Sequence, residues 1–261
     1  MEPSLWVAKT GLDSQQKRMS VIANNLANVN TIGFKRDRAV FEDLLYQNIR
    51  QAGGQTSATS QAPTGLMLGT GVRIVATEKM HEQGNMVQTN GALDIAIQGE
   101  GLFQVLQADN TIAYTRDGNF NLSNDRSLVT ANGELLQPQI TIPNNAESIT
   151  IGQDGTVSIQ PFGNAAEQII GTIQIATFVN PAGLEPGGRN LFKETGSSGA
   201  PVLTQPALNG GGVLVQGALE ASNVNVVEEM VSMIETQRSY EVNSKAISAA
   251  DGMLRFLNQN L

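Results

Sequence analysis

The spacing of apolar residues changes character twice along the chain. From about Pro3 to Asn30, Leu5, Leu12, Met19 and Leu26 recur every seven residues, with Ala8, Gln15, Ile22 and Val29 as a second row three positions on. Two such rows make a narrow a/d seam, not the broader stripe of a helix that covers a core. Pro3 suits a first helical turn and Gly33 a stop. The far end repeats the pattern. Leu219, Val226, Met233, Tyr240, Ile247, Leu254 and Leu261 are seven apart, joined by Met230, Ile234 and Leu257. Asn225, followed by Glu228, has cap spacing and starts this helix near Val226. The two helices span roughly 42 Å and roughly 50 Å. They can pair with each other, with neighbouring copies, or both.

Between the helices the period drops to two. Leu93, Ile95 and Ile97 alternate with Asp94 and Ala96, the pattern of a half-buried strand. Further short strand-like runs follow at Leu102–Leu106, Ile140–Ile142, Ile149–Ile151, Val157–Ile159 and Ile169–Phe178. Asn90-Gly91, Asp117-Gly118, Asn132-Gly133, Asp154-Gly155 and Asn209-Gly210 punctuate them as turns. Before them, Val40, Phe41, Leu44 and Leu45 fit one short helix or an apolar strand edge. The stretch from Gln47 to Gly71 has almost no charge or periodicity and reads, alone, as a flexible linker. The expected fold class is α+β: long N- and C-terminal heptad helices forming a coiled-coil-like unit, with a central antiparallel β-rich domain.

Composition narrows the chemistry. Among 261 residues, 16 Lys and Arg stand against 24 Asp and Glu, a net charge of −8 that argues against a nucleic-acid binder. Charged residues make up only 15%, and a polar, weakly charged surface suits packing against copies of itself. The absence of cysteine excludes disulfides, thiolate metal sites and cysteine nucleophiles. A single histidine, His81, leaves no His-rich metal site and reads most simply as a surface polar residue. No apolar run approaches a membrane span, and the N-terminus lacks the pattern of a secretory signal peptide.

Few residues suggest a site. Asn24, Asn25, Asn28 and Asn30 cluster at the end of the first helix. Neutral amides there either fix register between packed helices or simply suit a helix end. Lys35, Arg36 and Arg38 form a lone basic run, read as a solvated face. Gly69-Thr70-Gly71 and Gly99-Glu100-Gly101 lack the third glycine of a nucleotide fingerprint and read as turns. Asp94, Glu100, Asp117 and Asp154 include no pair that the spacing forces together, so glycoside hydrolysis ranks last.

Longer motifs are specific. GLDSQQKRMSVIANNLANVNTIGFKR (Gly11–Arg36) and QGALEASNVNVVEEMVSMIETQRSYEVNSKAISAADGMLRFLNQ (Gln216–Gln259) resemble the paired terminal signatures of bacterial flagellar rod and hook proteins. DRAVFEDLLYQNIRQAG, GTGVRIVATEKM and LDIAIQGEGLFQV are most similar to the distal-rod members of that family, although Ile32 stands where the family more often has Thr.

The resemblance implies a non-enzymatic subunit without cofactor, metal, nucleic acid or membrane insertion, which polymerises helically into a straight, hollow drive shaft. Its implied division is 1–46, the N-terminal helix and first part of an inner tube; 47–71, a rod-specific linker-like segment; 72–216, an outer β-rich domain; and 217–261, the helix that completes the tube. Implied assembly residues are Leu5, Leu12, Met19, Ile22, Asn24, Asn25, Leu26 and Asn28, with Val226, Met230, Met233, Tyr240, Ile247 and Leu254. Gln47, Arg50, Gln51, Pro63, Gly65 and Leu66 mark the rod-specific segment. Implied partners are further copies, proximal rod and hook proteins, the L and P rings, the rod cap and the flagellar type III export apparatus. The implied location is the basal-body rod crossing the periplasm, reached without a cleaved signal peptide. A proximal-rod or hook paralogue, or a secreted adhesin-like module, are the alternatives.

Overall fold

Both heptad stretches are helical: α1 runs Pro3–Ala27 and α2 Val226–Gln259. The computed structural model describes residues 3–53, 55–57, 60–61, 63–163, 166–208 and 210–259. The chain divides into two units, one of residues 1–26, 37–78 and 225–261, the other of residues 27–36 and 79–224.

The first unit holds both helices and the strands β1 (Asp37–Asp43), β2 (Tyr46–Arg50), β3 (Gln55–Ser57), β4 (Ser60–Gln61), β5 (Leu66–Gly69) and β6 (Val72–Lys79). The α2 start follows the expected cap: the Val227 N–H donates to Asn225 Oδ1 at 3.1 Å. Glu228 and Glu229 in the first turn face the positive end of the helix dipole. Val40 and Phe41 lie on a strand, since β1 pairs with β6. The charge-poor stretch is drawn into an antiparallel hairpin, Tyr46 opposite Gly69 and Asn48 opposite Met67. Backbone pairing, which side-chain periodicity does not register, orders it.

The expected coiled-coil unit is not what the helices build. The chain carries one helix at each end of a large β-rich structure, and only the central β domain of the expected class stands. Along α2, Val226, Met230, Ile234 and Tyr240 are exposed, whereas Glu229 and Thr236 are buried. A seven-residue spacing records which residues share a face. It does not supply the facing knobs and holes that would cover them.

The second unit takes the strands β7 (Met86–Gln88), β8 (Ile95–Gln98), β9 (Leu102–Leu106), β10 (Ile112–Thr115), β11 (Phe120–Leu122), β12 (Leu128–Thr130), β13 (Leu135–Gln137), β14 (Ala146–Ile151), β15 (Thr156–Pro161), β16 (Gln168–Thr172), β17 (Ile175–Thr177), β18 (Glu185–Gly188), β19 (Leu191–Lys193), β20 (Val202–Thr204), β21 (Val213–Gln216) and β22 (Ala218–Glu220). At its centre, β9 pairs along one side with β10 and along the other with β13 and β17. From Leu102 to Val105 β9 is buried on both faces, the polar Gln104 included, so its burial does not alternate. The main core joins Ile95, Ile97, Phe103, Phe120, Leu128, Leu136, Ile159, Ile175 and Leu214, with Phe103 and Phe120 edge to face at 5.1 Å. Ile140 and Ile142 are buried there on either side of the exposed Thr141, without forming a strand of their own.

Candidate assembly surface and charged centre

Asn25 is the polar pivot of the first unit. Its Oδ1 accepts the Asp37 N–H at 2.8 Å, and its Nδ2 donates to Asp37 O at 2.9 Å and to Glu229 Oε1 at 3.3 Å. One buried amide thus fastens the end of α1 to β1 and to the first turn of α2. Near the other end of α1, a Cβ placed on Gly11 would lie 3.2 Å from Asn243 Nδ2. The pairs Asn25–Glu229 and Gly11–Asn243 are equally spaced on both helices, so α1 and α2 run antiparallel. At this seam α2 offers mostly small or polar residues, with Ser232, Thr236, Ser239 and Asn243 buried or half-buried beside Met233.

The opposite face of α2 is open, and its exposed apolar side chains stand beside the exposed charges of Arg238, Glu241 and Lys245. Val227 (70% exposed), Val231, Ile234, Val242 (65%) and Met253 follow helical spacing along it. Of the sequence-derived assembly residues, Ile22 and Asn25 are buried. Leu5, Leu12, Met19, Leu26, Asn28, Met233 and Ile247 are half-buried, and Asn24, Val226, Met230 and Tyr240 are exposed. The side chain of Leu254 lies outside the described residues. Asn24 bonds Asp37 Oδ2 at 3.2 Å, and Asn28 Oδ1 accepts the Thr31 hydroxyl.

The hairpin adds a second apolar surface. Leu45, Tyr46, Ile49, Leu66, Met67 and Leu68 are all exposed. Gln47 and Arg50 sit on β2 and Leu66 on β5, with Gln51 and Pro63 exposed beyond the strands. Gly65 is half-buried, where a Cβ would meet Arg50 O at 2.8 Å.

In the second unit, charge is gathered inside. Glu220 is 1% exposed and bridges Lys35 (2%) and Arg116 (5%). Lys35 Nζ donates to Glu220 Oε1 and to Glu82 O, each at 2.6 Å. The Arg116 Nε–H donates to Glu220 Oε2, while its other nitrogens donate to the carbonyls of Ile97, Gly99 and Gly101. The Gly84 N–H completes the carboxylate shell at 2.8 Å. Burial alone would push the Glu220 carboxyl up, but the Arg116 and Lys35 cations hold it below its ordinary value. Burial lowers the Lys35 ammonium despite the pull of Glu220. Lys35 is therefore no part of a solvated face. Nothing in its local sequence separates it from Arg36 and Arg38. Its carboxylate partner Glu220 lies 185 residues further along the chain, and 104 beyond Arg116.

His81 is not a simple surface residue either. Its Nε2 is buried without a hydrogen-bond partner, its ring lies 5.5 Å from that of Phe192, and burial with the charges of Lys35, Lys79 and Arg116 lowers its pKa to about 4. Asp117, weighed as a catalytic acid, accepts the Asn119 N–H in a turn; burial, then Asp94, raise its carboxyl.

Internal structure absorbs Lys35, Arg116 and Glu220, while helix and hairpin turn large apolar side chains outward. These features define an assembly subunit. Known proteins agree along the whole chain. Residues 5–35 match the flagella basal body rod protein family, residues 96–159 the flagellar hook protein FlgE/F/G D1 domain, and residues 215–260 the flagellar basal body rod FlgEFG protein C-terminal family. The flagellar basal-body rod protein FlgG of Buchnera aphidicola subsp. Acyrthosiphon pisum is 54% identical over 99% of this chain and 100% of its own length. FlgG of Borreliella burgdorferi is 46% identical over 99% and 98%. The flagellar hook-basal body complex protein FlhP of Bacillus subtilis is 31% identical over 98% of both chains. The chain belongs to the flagellar basal-body rod family, on its FlgG side. It is a structural subunit of the flagellar distal rod and not an enzyme.

Proposed function

We propose that copies of this chain assemble helically, through their terminal helices, into a straight, hollow shaft that carries torque from motor to hook and passes later subunits through its bore. The observation that carries this reading is the set of exposed apolar side chains on the outward face of α2, Val227, Val231, Ile234, Val242 and Met253, on a helix whose inner face carries Ser232, Thr236, Ser239 and Asn243. A face of that length demands cover, and in a rod the cover is another copy. Residues 1–46 and 217–261 form the inner tube. Segment 47–71 reaches between neighbours through Gln47, Arg50, Gln51, Pro63, Gly65 and Leu66, and residues 72–216 form the outer domain. The half-buried Leu5, Leu12 and Met19 and the exposed Val226, Met230 and Tyr240 pack against adjoining copies.

At its ends the shaft meets proximal rod and hook proteins. The L and P rings surround it and the rod cap attends its growth. The flagellar type III apparatus delivers the chain to the periplasmic side without a cleaved signal peptide. Concentrating the purified chain and imaging it by electron cryomicroscopy tests the reading. Straight hollow tubes are expected, losing straightness when residues 47–65 are deleted. A chain that stays monomeric at every concentration would falsify it.

A further inference from the structure

The three buried charges come from three separate stretches of the chain. Lys35 lies in the matched segment 5–35, Arg116 in 96–159 and Glu220 in 215–260. We propose that Glu220 is a completeness latch: the β body of residues 27–36 and 79–224 reaches its folded state only when the segment 213–224 has docked. A chain delivered in part stays open.

Two independent features of the body require that late segment. The first is electrostatic. Arg116 is enclosed by the carbonyls of Ile97, Gly99 and Gly101, and Lys35 by Glu82 O, groups that solvate a cation but do not neutralise it. Without Glu220 the folded body would hold two buried cations with only the weaker pull of Glu82 on Lys35, an arrangement that strongly disfavours the folded state. The second feature is the backbone. β8 carries Ile95 and Ile97 into the core, and its one strand partner among the described residues is β21, with Leu214 opposite Ile97 and Gln216 opposite Ile95. Among the same residues β7 pairs with β22 alone. Removing 213–224 therefore opens two ladders, empties the Leu214 place in the core and strips the carboxylate from its cations together. The N-terminal segment is held by the same strand, since the Gly33 N–H donates to Glu220 O at 2.8 Å. Losses this coupled leave no partly folded body of comparable stability.

The consequence for export rests on the reading above; folding itself does not. A chain that enters its destination N-terminus first cannot close its body until residue 220 arrives, just ahead of α2.

Native-state hydrogen exchange on the full-length monomer decides the point without reference to assembly. The amides of Leu214, Gly217 and Ala221, which donate to Gln153 O, Asp94 O and Asn85 O, are expected to exchange only with the whole body, on the same urea dependence as Phe103 and Val105. Exchange of the 213–224 amides at least about tenfold faster, through an opening that ignores urea, overturns the latch. In Glu220→Gln the proposal expects protection to fall by a similar factor, about tenfold or more, on β9, β10 and β21 alike. Loosening of 213–224 alone, with β9 and β10 at wild-type protection, refutes it. Should that variant not fold, the wild-type exchange pattern alone separates a latch from a loosely docked segment.

Discussion

Asn25 and Glu229 are separated by 204 residues of chain and by 3.3 Å in space, joined through a buried amide that also holds both backbone groups of Asp37. An amide serves all three partners because it carries donors and an acceptor without a charge of its own. Aspartate at this position would aim a second carboxylate at Glu229, and alanine would leave Asp37 and Glu229 without the hydrogen bonds it supplies.

Asn25→Ala is therefore expected to destabilise the helix junction by about 1–3 kcal/mol, the cost of stranding buried polar groups. Asn25→Asp should be at least as harmful. Urea unfolding followed by helical circular dichroism checks both. Equal stability of wild type and Asn25→Ala would mean that the three hydrogen bonds contribute nothing net.

How much of this was legible in the sequence depended on the range of the interaction. The alternation around Ile95 and the short run Leu102–Leu106 announced β8 and β9 because strand periodicity is local. Asn225 announced the start of α2 for the same reason. The Asn cluster was visible, but its register role was indistinguishable from helix-end preference until Asp37 and Glu229 were seen around Asn25. Lys35, Arg116 and Glu220 were illegible as a group, since each is an ordinary charged residue whose burial is decided by strands far away. The heptads of α2 misled about a coiled-coil seam: the spacing was helical, but the face with a partner inside the chain carries Glu229, Thr236 and Asn243.

Gly33 predicts a sharp local cost. Its φ is +67°, and an added Cβ would fall 2.8 Å from the Arg116 carbonyl carbon and 2.9 Å from the Asp117 nitrogen. Neither backbone atom can swing aside as a flexible side chain would. Gly33→Ala should cost about 2–4 kcal/mol, combining left-handed strain with the clash. Thermal or urea unfolding of the body reads it, and a loss below about 0.5 kcal/mol would contradict the close approach.

His81 sets a pH dependence. In the unfolded chain the imidazole takes a proton below its ordinary 6.5; in the folded body it does so only below about 4. Between those values the unfolded state binds more protons, so stability rises with pH across the window. The contribution is complete above pH 6.5 and gone below about pH 4. Acidifying from pH 7 to pH 4.5 should remove about 2–3 kcal/mol from the body through this group. In His81→Gln that part of the slope should vanish, which a series of urea midpoints against pH will show. An unchanged slope would assign the acid sensitivity elsewhere.

The outward face of α2 yields the prediction that separates assembly from folding. Val231 and Ile234 are each 51% exposed and one helical turn apart, on the side of α2 away from Glu229 and Thr236. Replacing both with serine removes apolar surface that is already in water in the monomer, so the unfolding free energy should change by less than about 0.5 kcal/mol. If the shaft covers this face as proposed, assembly buries the exposed half of both side chains, and losing about 0.7–1.5 kcal/mol from each raises the concentration needed for polymerisation by about tenfold or more. Sedimentation of the double variant beside wild type reads that concentration, while urea unfolding of the same samples confirms that the monomer is intact. Tubes forming at the wild-type concentration would show that this face stays wet in the shaft, and the copy-to-copy contact would then fall to the exposed hairpin around Tyr46 and Met67.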